Sequence, residues 1–325
     1  MGANTKTRRL ALLFASGVIV IACTLGYLRY FSTFRFWIPP PVGSGPAGPT
    51  VAKGPFERKW TEQQVVLLGV GDSVTAGFGA SQGYSYFDRL LSNPTDEFAD
   101  MKGVCLRNAI PNLKPMNISV SGSDSLQHLA EQVEPLKPFP NNTLGIVVMT
   151  TGGNDMIHWY GRGTPKEGAM YGATRHQASP WIENFRKRLD AMMDKLSATF
   201  PGGCHIFLAT IYDPSDDVGN PAAAGLPPWP DMLSIHGEYN RIIRDAAAAR
   251  DNVYLVDLHE AFLGHGVHCV QWWREHYRRE DPHYWYFSNL EDPNDRGYDA
   301  IRRLFLNEMQ QILPKALMDE QRKTG

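Results

Sequence analysis

The segment best suited to chemistry runs from Gly69 to Gly79 and reads GVGDSVTAGFG. It follows an apolar run that ends at Val70, so Ser73 is predicted to lie at a strand-to-helix turn among glycines. The amides and the positive end of the following helix would stabilise negative charge that develops beside the serine hydroxyl. The pattern suits a nucleophile, and a serine that merely caps a helix is the structural alternative.

Two later strand ends add hydrogen-bond donors at the same edge of the predicted sheet. One apolar run ends at Gly122, whose backbone N–H a ligand can approach without obstruction by a side chain. Another ends in TTGGN, where the last residue, Asn154, can donate a hydrogen bond to an oxyanion. Because the carboxyl ends of parallel strands lie at one sheet edge, we expect Ser73, Gly122 and Asn154 to converge on one point.

These three strand ends, in this order, resemble the SGNH hydrolase superfamily, also called GDSL esterases and lipases, over roughly residues 65–313. In the SGNH family the GDS serine is the nucleophile, and its N–H, the glycine N–H and the asparagine amide form the oxyanion hole. The resemblance therefore implies these roles for Ser73, Gly122 and Asn154. It also implies a serine ester hydrolase that requires no metal or organic cofactor.

The last block of the chain differs from the family pattern, which is Asp-x-x-His-Pro-Asn before the final helix. The chain reads SNLEDPNDRGY over residues 288–298, so Asp292 stands at the histidine position and Asn289 at the aspartate position. A serine at its ordinary pKa needs a base within hydrogen-bond reach, and imidazole suits neutral pH better than an unperturbed carboxylate. The catalytic base must therefore come from another position, or the domain is inactive.

The segment between the last strand and the last helix contains five histidines: His259, His265, His268, His276 and His283. We favour His283, because EDPH places an acid three residues before it, and His268 is the main rival. We expect Asp292 to lie beside Ser73 and to orient one of these histidines. A weaker alternative makes Asp292 itself the base, with a pKa raised by desolvation.

The body of the chain alternates short apolar runs with helical patterns. The five candidate strands are Val65–Val70, Met116–Val120, Leu144–Thr151, His205–Ile211 and Val253–Leu258. Their near-continuous apolar character predicts strands buried on both faces. A stripe from Trp181 to Phe200 predicts one helix, and a stripe from Ile301 to Leu313 predicts a final helix capped by Asn294 or Asp295. This alternation predicts an α/β domain, a three-layer α/β/α sandwich with a mostly parallel five-stranded sheet of the SGNH or flavodoxin-like kind.

The N-terminus contains an uncharged apolar run, Leu10–Leu28, preceded by Lys6, Arg8 and Arg9. It is long enough to cross a bilayer. We interpret residues 1–37 as a membrane anchor, because aromatic residues continue through Phe36 and Trp37, as is typical of a membrane interface. A cleaved signal peptide and a lipoprotein signal with a lipobox ending at Cys23 are the alternatives.

The basic residues before the apolar run predict a cytoplasmic N-terminus, with the catalytic domain on the extracytoplasmic side. Residues 38–54 are rich in Pro and Gly and predict a stiff spacer, so residues 55–325 are expected to form the folded domain. A GxGxxG sequence at Gly43–Gly48 lies in this spacer and neither follows a strand nor opens a helix. We therefore do not interpret it as a dinucleotide site.

Composition excludes several other classes. Beyond residue 40 the chain has 27 basic and 34 acidic residues, and a mildly acidic body argues against a nucleic-acid partner. Cys105, Cys204 and Cys269 allow one disulfide in an exported domain, without a preferred pairing. A metal site built from His265, His268 and Cys269 lacks a fourth ligand and standard zinc spacing, so none is expected.

The substrate remains open at the level of sequence. The segments 159–181 and 213–229 contain Trp and Tyr residues that suit carbohydrate stacking and a lipid chain equally well. We therefore expect a small-molecule, glycan or lipid ester as the partner, besides the membrane. The alternatives are a non-catalytic ligand-binding domain that lost its base, and an acyltransferase acting on extracellular glycans.

Overall fold

The computed structural model of the chain describes residues 3–35 and 39–324 and is built around a parallel β-sheet. Its strands are β1 Gln64–Val70, β2 Leu113–Asn117, β3 Thr143–Met149, β4 Cys204–Ala209 and β5 Val253–Val256. They lie in the order β2-β1-β3-β4-β5, and each neighbouring pair is parallel. The predicted α/β class and five-stranded sheet are confirmed.

Helices cover both faces of this sheet. They are α1 Ala3–Arg35, α2 Ser73–Ala76, α3 Tyr86–Leu91, α4 Leu106–Ala109, α5 Ser125–Gln127, α6 Gly153–Ile157, α7 Arg175–Thr199, α8 Met232–Ala248, α9 Leu258–Phe262 and α10 Asp295–Thr324. A π-helical turn, His128–Val133, continues α5. Three 3-10 turns lie at Gly54–Glu57, His158–Gly161 and Pro221–Ala224.

The core consists of two layers separated by the sheet. Alternate residues of β1 point to opposite faces, so Val65 and Leu67 pack with α3 and α10, whereas Val66 and Leu68 pack with α7 and α8. Both faces are therefore buried, which confirms the three-layer sandwich. Asn294 caps the final helix as predicted, because its side-chain oxygen accepts hydrogen bonds from the two amides at 296 and 297.

The second predicted strand was placed wrongly. We expected Met116–Val120, buried on both faces, whereas β2 spans Leu113–Asn117 and only Leu113 is buried. The reason is that β2 lies at an edge of the sheet, where one side of the strand has no neighbour. An edge strand also tolerates Pro115, which cannot donate a ladder hydrogen bond.

Helix α1 contains the predicted membrane segment. Its stretch Thr7–Tyr27 is long and apolar enough to cross a bilayer, and none of it is buried against the protein. The helix is therefore compatible with a membrane anchor or a signal sequence. Phe36 and Trp37, which we expected to extend the aromatic segment, lie outside the described residues.

The Pro/Gly-rich segment, which we expected to be a stiff spacer before the folded domain, packs on the domain. The backbone N–H of Ala47 donates to Asp299 Oδ2 at 3.0 Å, and Arg296 Nη1 donates to two carbonyls of the same segment. At Gly48, a Cβ would lie 2.8 Å from the Cα of Ala300, so the glycine permits close approach to α10. We call residues 39–51 the strap, because they run across the start of that helix.

A cluster of buried charges joins α3 to α10 beneath the strap. Glu97 accepts hydrogen bonds from Arg89 Nη2 at 2.9 Å and from Arg302 Nη2 at 2.8 Å, and its side chain is 1% exposed. Arg302 also pairs with Asp299 at 2.6 Å. Burial opposes ionisation of Glu97, but Arg302 and Arg89 outweigh it and lower the pKa to about 2.

We expect Glu97→Ala to lower the free energy of unfolding by about 3–5 kcal/mol, because it leaves the buried guanidinium groups of Arg89 and Arg302 to share the carboxylate of Asp299. Urea unfolding followed by tryptophan fluorescence, in mild detergent, measures this. Because the pKa of Glu97 is lowered on folding, its contribution is complete above pH 4.5 and is lost as the pH falls toward 2. Glu97→Gln should flatten that pH dependence.

Glu62→Ala is the control, because Glu62 forms an exposed pair with Lys59 and should leave stability unchanged. Equal stability of the Glu97 and Glu62 variants would contradict a stabilising role for the buried cluster.

Candidate active site

Ser73 lies where β1 gives way to α2, at the carboxyl edge of the sheet. Asp72 caps this helix, and its Oδ1 accepts from Val74 N at 3.1 Å and from Thr150 Oγ1 at 2.7 Å. The preceding residue, Gly71, has φ of 133°, and a Cβ there would lie 2.1 Å from the Thr150 carbonyl oxygen. The turn that presents the Ser73 hydroxyl therefore requires glycine at position 71.

Asn154 is joined to the loop that carries Gly122. Gly122 has φ of 82°, and a Cβ at this position would meet no atom within 4 Å, so the backbone conformation, and not crowding, favours glycine. Asn154 lies in the first turn of α6, is buried, and donates from Nδ2 to the carbonyl of Ser123 at 2.8 Å. Asn154 and Ser73 line the same cavity. The structure thus brings two of the three predicted donors to one cavity and links the third to Asn154.

A buried network that sequence analysis did not identify holds this loop in place. His128 contacts Thr151 Oγ1 through Nδ1 at 2.8 Å and Ser123 Oγ through Nε2 at 2.9 Å. Burial lowers its pKa to about 3, so the ring is neutral. Gln132 brackets Gly71, accepting from its N–H at 2.8 Å and donating to its carbonyl at 2.9 Å. The π-helical turn that presents both side chains has no clear sequence signature.

Asp292 lies beside Ser73, as expected. The carboxyl is buried, and burial raises its pKa, although the Ser73 hydroxyl and the Asn289 amide lower it in part. Oδ2 accepts from Asn289 Nδ2 at 2.6 Å, whereas Oδ1 has no hydrogen-bond partner in residues 39–324. Asn289, at the aspartate position of the family block, therefore orients the carboxyl that stands at the histidine position.

Two further acids, Asp72 and Glu291, line the cavity of Ser73. The pKa of Asp72 is raised to about 6, mainly by burial and in smaller part by the charge of Asp292. The pKa of Glu291 is raised to about 7, chiefly by burial. A hydrogen bond from Tyr160 lowers it in part, and the charges of Asp292 and Asp72 raise it. Like charges at such short range oppose one another, so the three carboxyls do not all ionise readily at neutral pH.

The structure does not bring the favoured histidines to Ser73. His283 Nδ1 lies 2.5 Å from Asp281 Oδ1, and its ring packs against Gly43 of the strap. His268 is buried, which lowers its pKa to about 4. Neither residue lines the cavity of Ser73, where the one histidine among the described lining residues is His236.

The cavity has a volume of about 130 Å³ and largely apolar walls. Its apolar lining includes Met156, Ile157, Ile211, Leu226, Trp229 and Met232. Trp229 is held in place by a hydrogen bond from Nε1 to the carbonyl of Ala173 at 2.8 Å. Tyr160 and Tyr171 also line it, so both segments that sequence analysis singled out for substrate contacts contribute to this cavity.

The remaining sequence candidates have other surroundings. Cys105, Cys204 and Cys269 are all buried, and no disulfide joins any two of them in the described residues. The ring of His265 stacks on Trp285 with 3.5 Å between centroids. These contacts assign His265 to packing.

Comparison with known proteins identifies a family. Residues 70–300 match the sequence pattern of the GDSL-like Lipase/Acylhydrolase family. No curated protein sequence matches the chain.

Among solved structures, the chain is similar to Axe2, an acetylxylan esterase from Geobacillus stearothermophilus, at 16% identity, a TM-score of 0.46 and coverage of 77% of this chain and 96% of that one. It is also similar to phospholipase A1 from Streptomyces albidoflavus NA297, at 17% identity, a TM-score of 0.47 and coverage of 76% and 100%.

Proposed function

The chain belongs to the GDSL-like lipase/acylhydrolase family and is an ester-bond hydrolase, and on that premise we propose that Ser73 is its nucleophile and Asp292 its general base. The observation that carries this proposal is that the buried Asp292 carboxyl lies close enough to the Ser73 hydroxyl for that hydroxyl to lower the pKa of Asp292. The family histidine is replaced by this aspartate. No histidine of residues 259–287 lines the cavity in the described chain.

In the proposed acylation step, Ser73 Oγ attacks the ester carbonyl while its proton moves to Asp292. The tetrahedral intermediate then expels the alcohol, which takes the proton from Asp292. A water molecule, deprotonated by the same carboxylate, then attacks the acyl-enzyme. The bond between the acyl carbon and Ser73 Oγ breaks, the acid is released, and Oγ takes the proton from Asp292. Each proton that Asp292 accepts is returned, so the enzyme ends the cycle unchanged.

The oxyanion hole is proposed to comprise the backbone N–H groups of Ser73 and Gly122 and the side-chain amide of Asn154. One N–H of the Asn154 amide is bound to the carbonyl of Ser123, which leaves the second for the substrate. The neutral His128 network supports the rigidity of this loop, and donors held in place stabilise a developing oxyanion without reorganisation.

A carboxylate needs a raised pKa to serve as a base for a serine hydroxyl. Burial supplies that increase at Asp292. The unpaired Oδ1 leaves a lone pair available to accept the proton. The Asn289 amide holds the other oxygen, a role that corresponds to the orienting carboxylate of a serine triad.

The substrate is proposed to be an ester with a small apolar acyl or alcohol group. Apolar walls and a volume of about 130 Å³ favour such a group, because burying it releases ordered water at little polar cost. We propose that Thr7–Tyr27 anchors the enzyme in a membrane, with the catalytic domain on the extracytoplasmic side. Lys6, Arg8 and Arg9, at the N-terminal end of this segment, support that orientation.

A fluorophosphonate probe tests the proposed nucleophile, because only an activated serine reacts with it. We expect one covalent adduct per chain, located on Ser73 by peptide mass spectrometry, together with loss of hydrolysis of a short-chain aryl ester. Absence of labelling in a preparation that hydrolyses the ester would contradict the proposal. Absence of both would indicate a non-catalytic binding domain, and product analysis with an alcohol acceptor separates transfer from hydrolysis.

A further inference from the structure

A second cluster of chemically active side chains lies beside the serine site and has no part in the proposed reaction. Asp217, His236 and His259 each offer one ligand atom, and these three atoms lie within 4.8 Å of one another. They come from three elements: the loop after β4, helix α8 and helix α9. Asp217 and His259 are far apart in sequence, and they meet because β4 and β5 both end at the same edge of the sheet.

The distances approach those of a metal coordination shell. His259 Nε2 lies 2.9 Å from Asp217 Oδ1. Two bonds of about 2.0–2.1 Å at a tetrahedral angle place the donor atoms roughly 3.3 Å apart. The pair is therefore close to the separation that a bound ion would impose. The His236 and His259 rings meet edge to face, with centroids 4.8 Å apart.

The tautomer of His236 is set by the backbone. Its Nε2 lies 2.8 Å from the carbonyl oxygen of Ile211, which is an acceptor, so Nε2 carries the proton. The Asn240 side chain donates to this carbonyl from Nδ2 and accepts from the Ile211 N–H through Oδ1, which keeps the acceptor in place. Nδ1 of His236 is then the unprotonated nitrogen. Histidines that bind metals usually donate their other ring N–H to a carbonyl or a carboxylate in this way.

The loop that presents Asp217 is held in an unusual conformation. Asp216 and Asp217 have φ of 53° and 57°, in the left-handed region that non-glycine residues seldom adopt. The Asp213 carboxylate accepts from Asp217 N at 2.9 Å, and Asp216 accepts from Gly264 N at 2.9 Å. These bonds hold the strained turn and turn the Asp217 side chain toward His259. Such strain is commonly retained where function requires it.

We propose that Asp217, His236 and His259 form a binding site for a divalent transition-metal ion, with Zn²⁺ as the best fit to two imidazoles and one carboxylate. Three protein ligands leave at least one coordination position for water or another ligand. The site borders the Ser73 cavity, because His236 lines that cavity. The ion would cross-link the 213–217 loop, α8 and α9, which together form one wall of the substrate site.

Calorimetric titration of the EDTA-treated full chain, in mild detergent at pH 7.5, with Zn²⁺ tests the proposal. We expect one ion per chain. We expect binding about 100-fold weaker or more in His259→Ala and in Asp217→Asn, because each loses a direct ligand. Co²⁺ in place of Zn²⁺ should give visible absorption typical of a low coordination number. This signal should be lost in the same variants.

His176→Ala is the matched control, because His176 is an exposed histidine on α7 outside the cluster. Circular dichroism shows whether each variant keeps its fold. If His259→Ala does not fold, the conservative Asp217→Asn variant still tests the proposal. Saturating Zn²⁺ should also raise the melting temperature of the wild type and not that of the ligand variants. No Zn²⁺ binding by the wild type, or equal binding by all four chains, would overturn the proposal.

Discussion

Replacing Ser73 by alanine is expected to lower kcat/KM for a short-chain aryl ester by about 10⁴-fold or more. The hydroxyl is the group proposed to form the acyl-enzyme, and alanine removes it without altering the turn. Asp72 would still cap α2, because its bonds to Val74 N and Thr150 Oγ1 do not involve position 73. The loss should therefore fall on catalysis, while the melting temperature stays close to that of the wild type.

Initial rates and the melting temperature, measured on the same preparation, check this expectation. Ser234→Ala is the control, because Ser234 is an exposed serine on α8. It should keep full activity. A Ser73→Ala chain that retained a tenth or more of the wild-type rate would show that the nucleophile lies elsewhere.

Replacing Asp292 by asparagine is expected to lower kcat/KM by about 10²–10⁴-fold, the usual contribution of a general base. Asparagine keeps the shape of the side chain and can still accept the hydrogen bond from Asn289. It cannot take the proton of Ser73. The wild-type rate should fall as the pH is lowered through the pKa of Asp292, because only the ionised carboxyl is a base, and this midpoint should lie above the usual range of aspartate.

The stability of this variant has an expected sign. A carboxyl whose pKa is raised on folding opposes folding once the pH exceeds its unfolded value, so the neutral amide should not be less stable than aspartate at pH 8. Thermal unfolding of both chains at pH 8 measures this. A variant that loses activity and also melts far below the wild type would point to a structural role for Asp292.

His283→Ala distinguishes the two possible bases. In the structure His283 pairs with Asp281 and packs on the strap, so its removal should leave kcat/KM within a few-fold of the wild type. Full activity in Asp292→Asn, together with loss in His283→Ala, would reverse this assignment. His268→Ala serves the same purpose for the second histidine favoured by the sequence.

Much of the fold could be predicted, because buried parallel strands have a strong local signal. The apolar runs of β1, β3 and β4 are buried along their whole length, and each was recognised within two residues of its ends. The edge strand β2 was misplaced because the sequence pattern does not show which strand lacks a neighbour. The strap was misread for a related reason: its glycines suit an open spacer and close contact with α10 equally well.

The site divides in the same way. Ser73, Gly122 and Asn154 follow directly from strand ends, so short sequence patterns locate them. Short sequence patterns do not identify the candidate base, because its position depends on how the segment after β5 folds back over the sheet. His128 and Gln132 were not predicted, because they act through contacts with Thr151 and Gly71, which are far from them in the chain.

The amino-acid sequence alone therefore carries the architecture and the position of the serine turn, since both arise from residues within a few positions of one another. Which acid or imidazole stands beside Ser73, and the meeting of Asp217 with His236 and His259, arise from long-range packing. Those contacts join separate elements of the chain and depend on burial in the folded domain. A local sequence pattern contains no information on either.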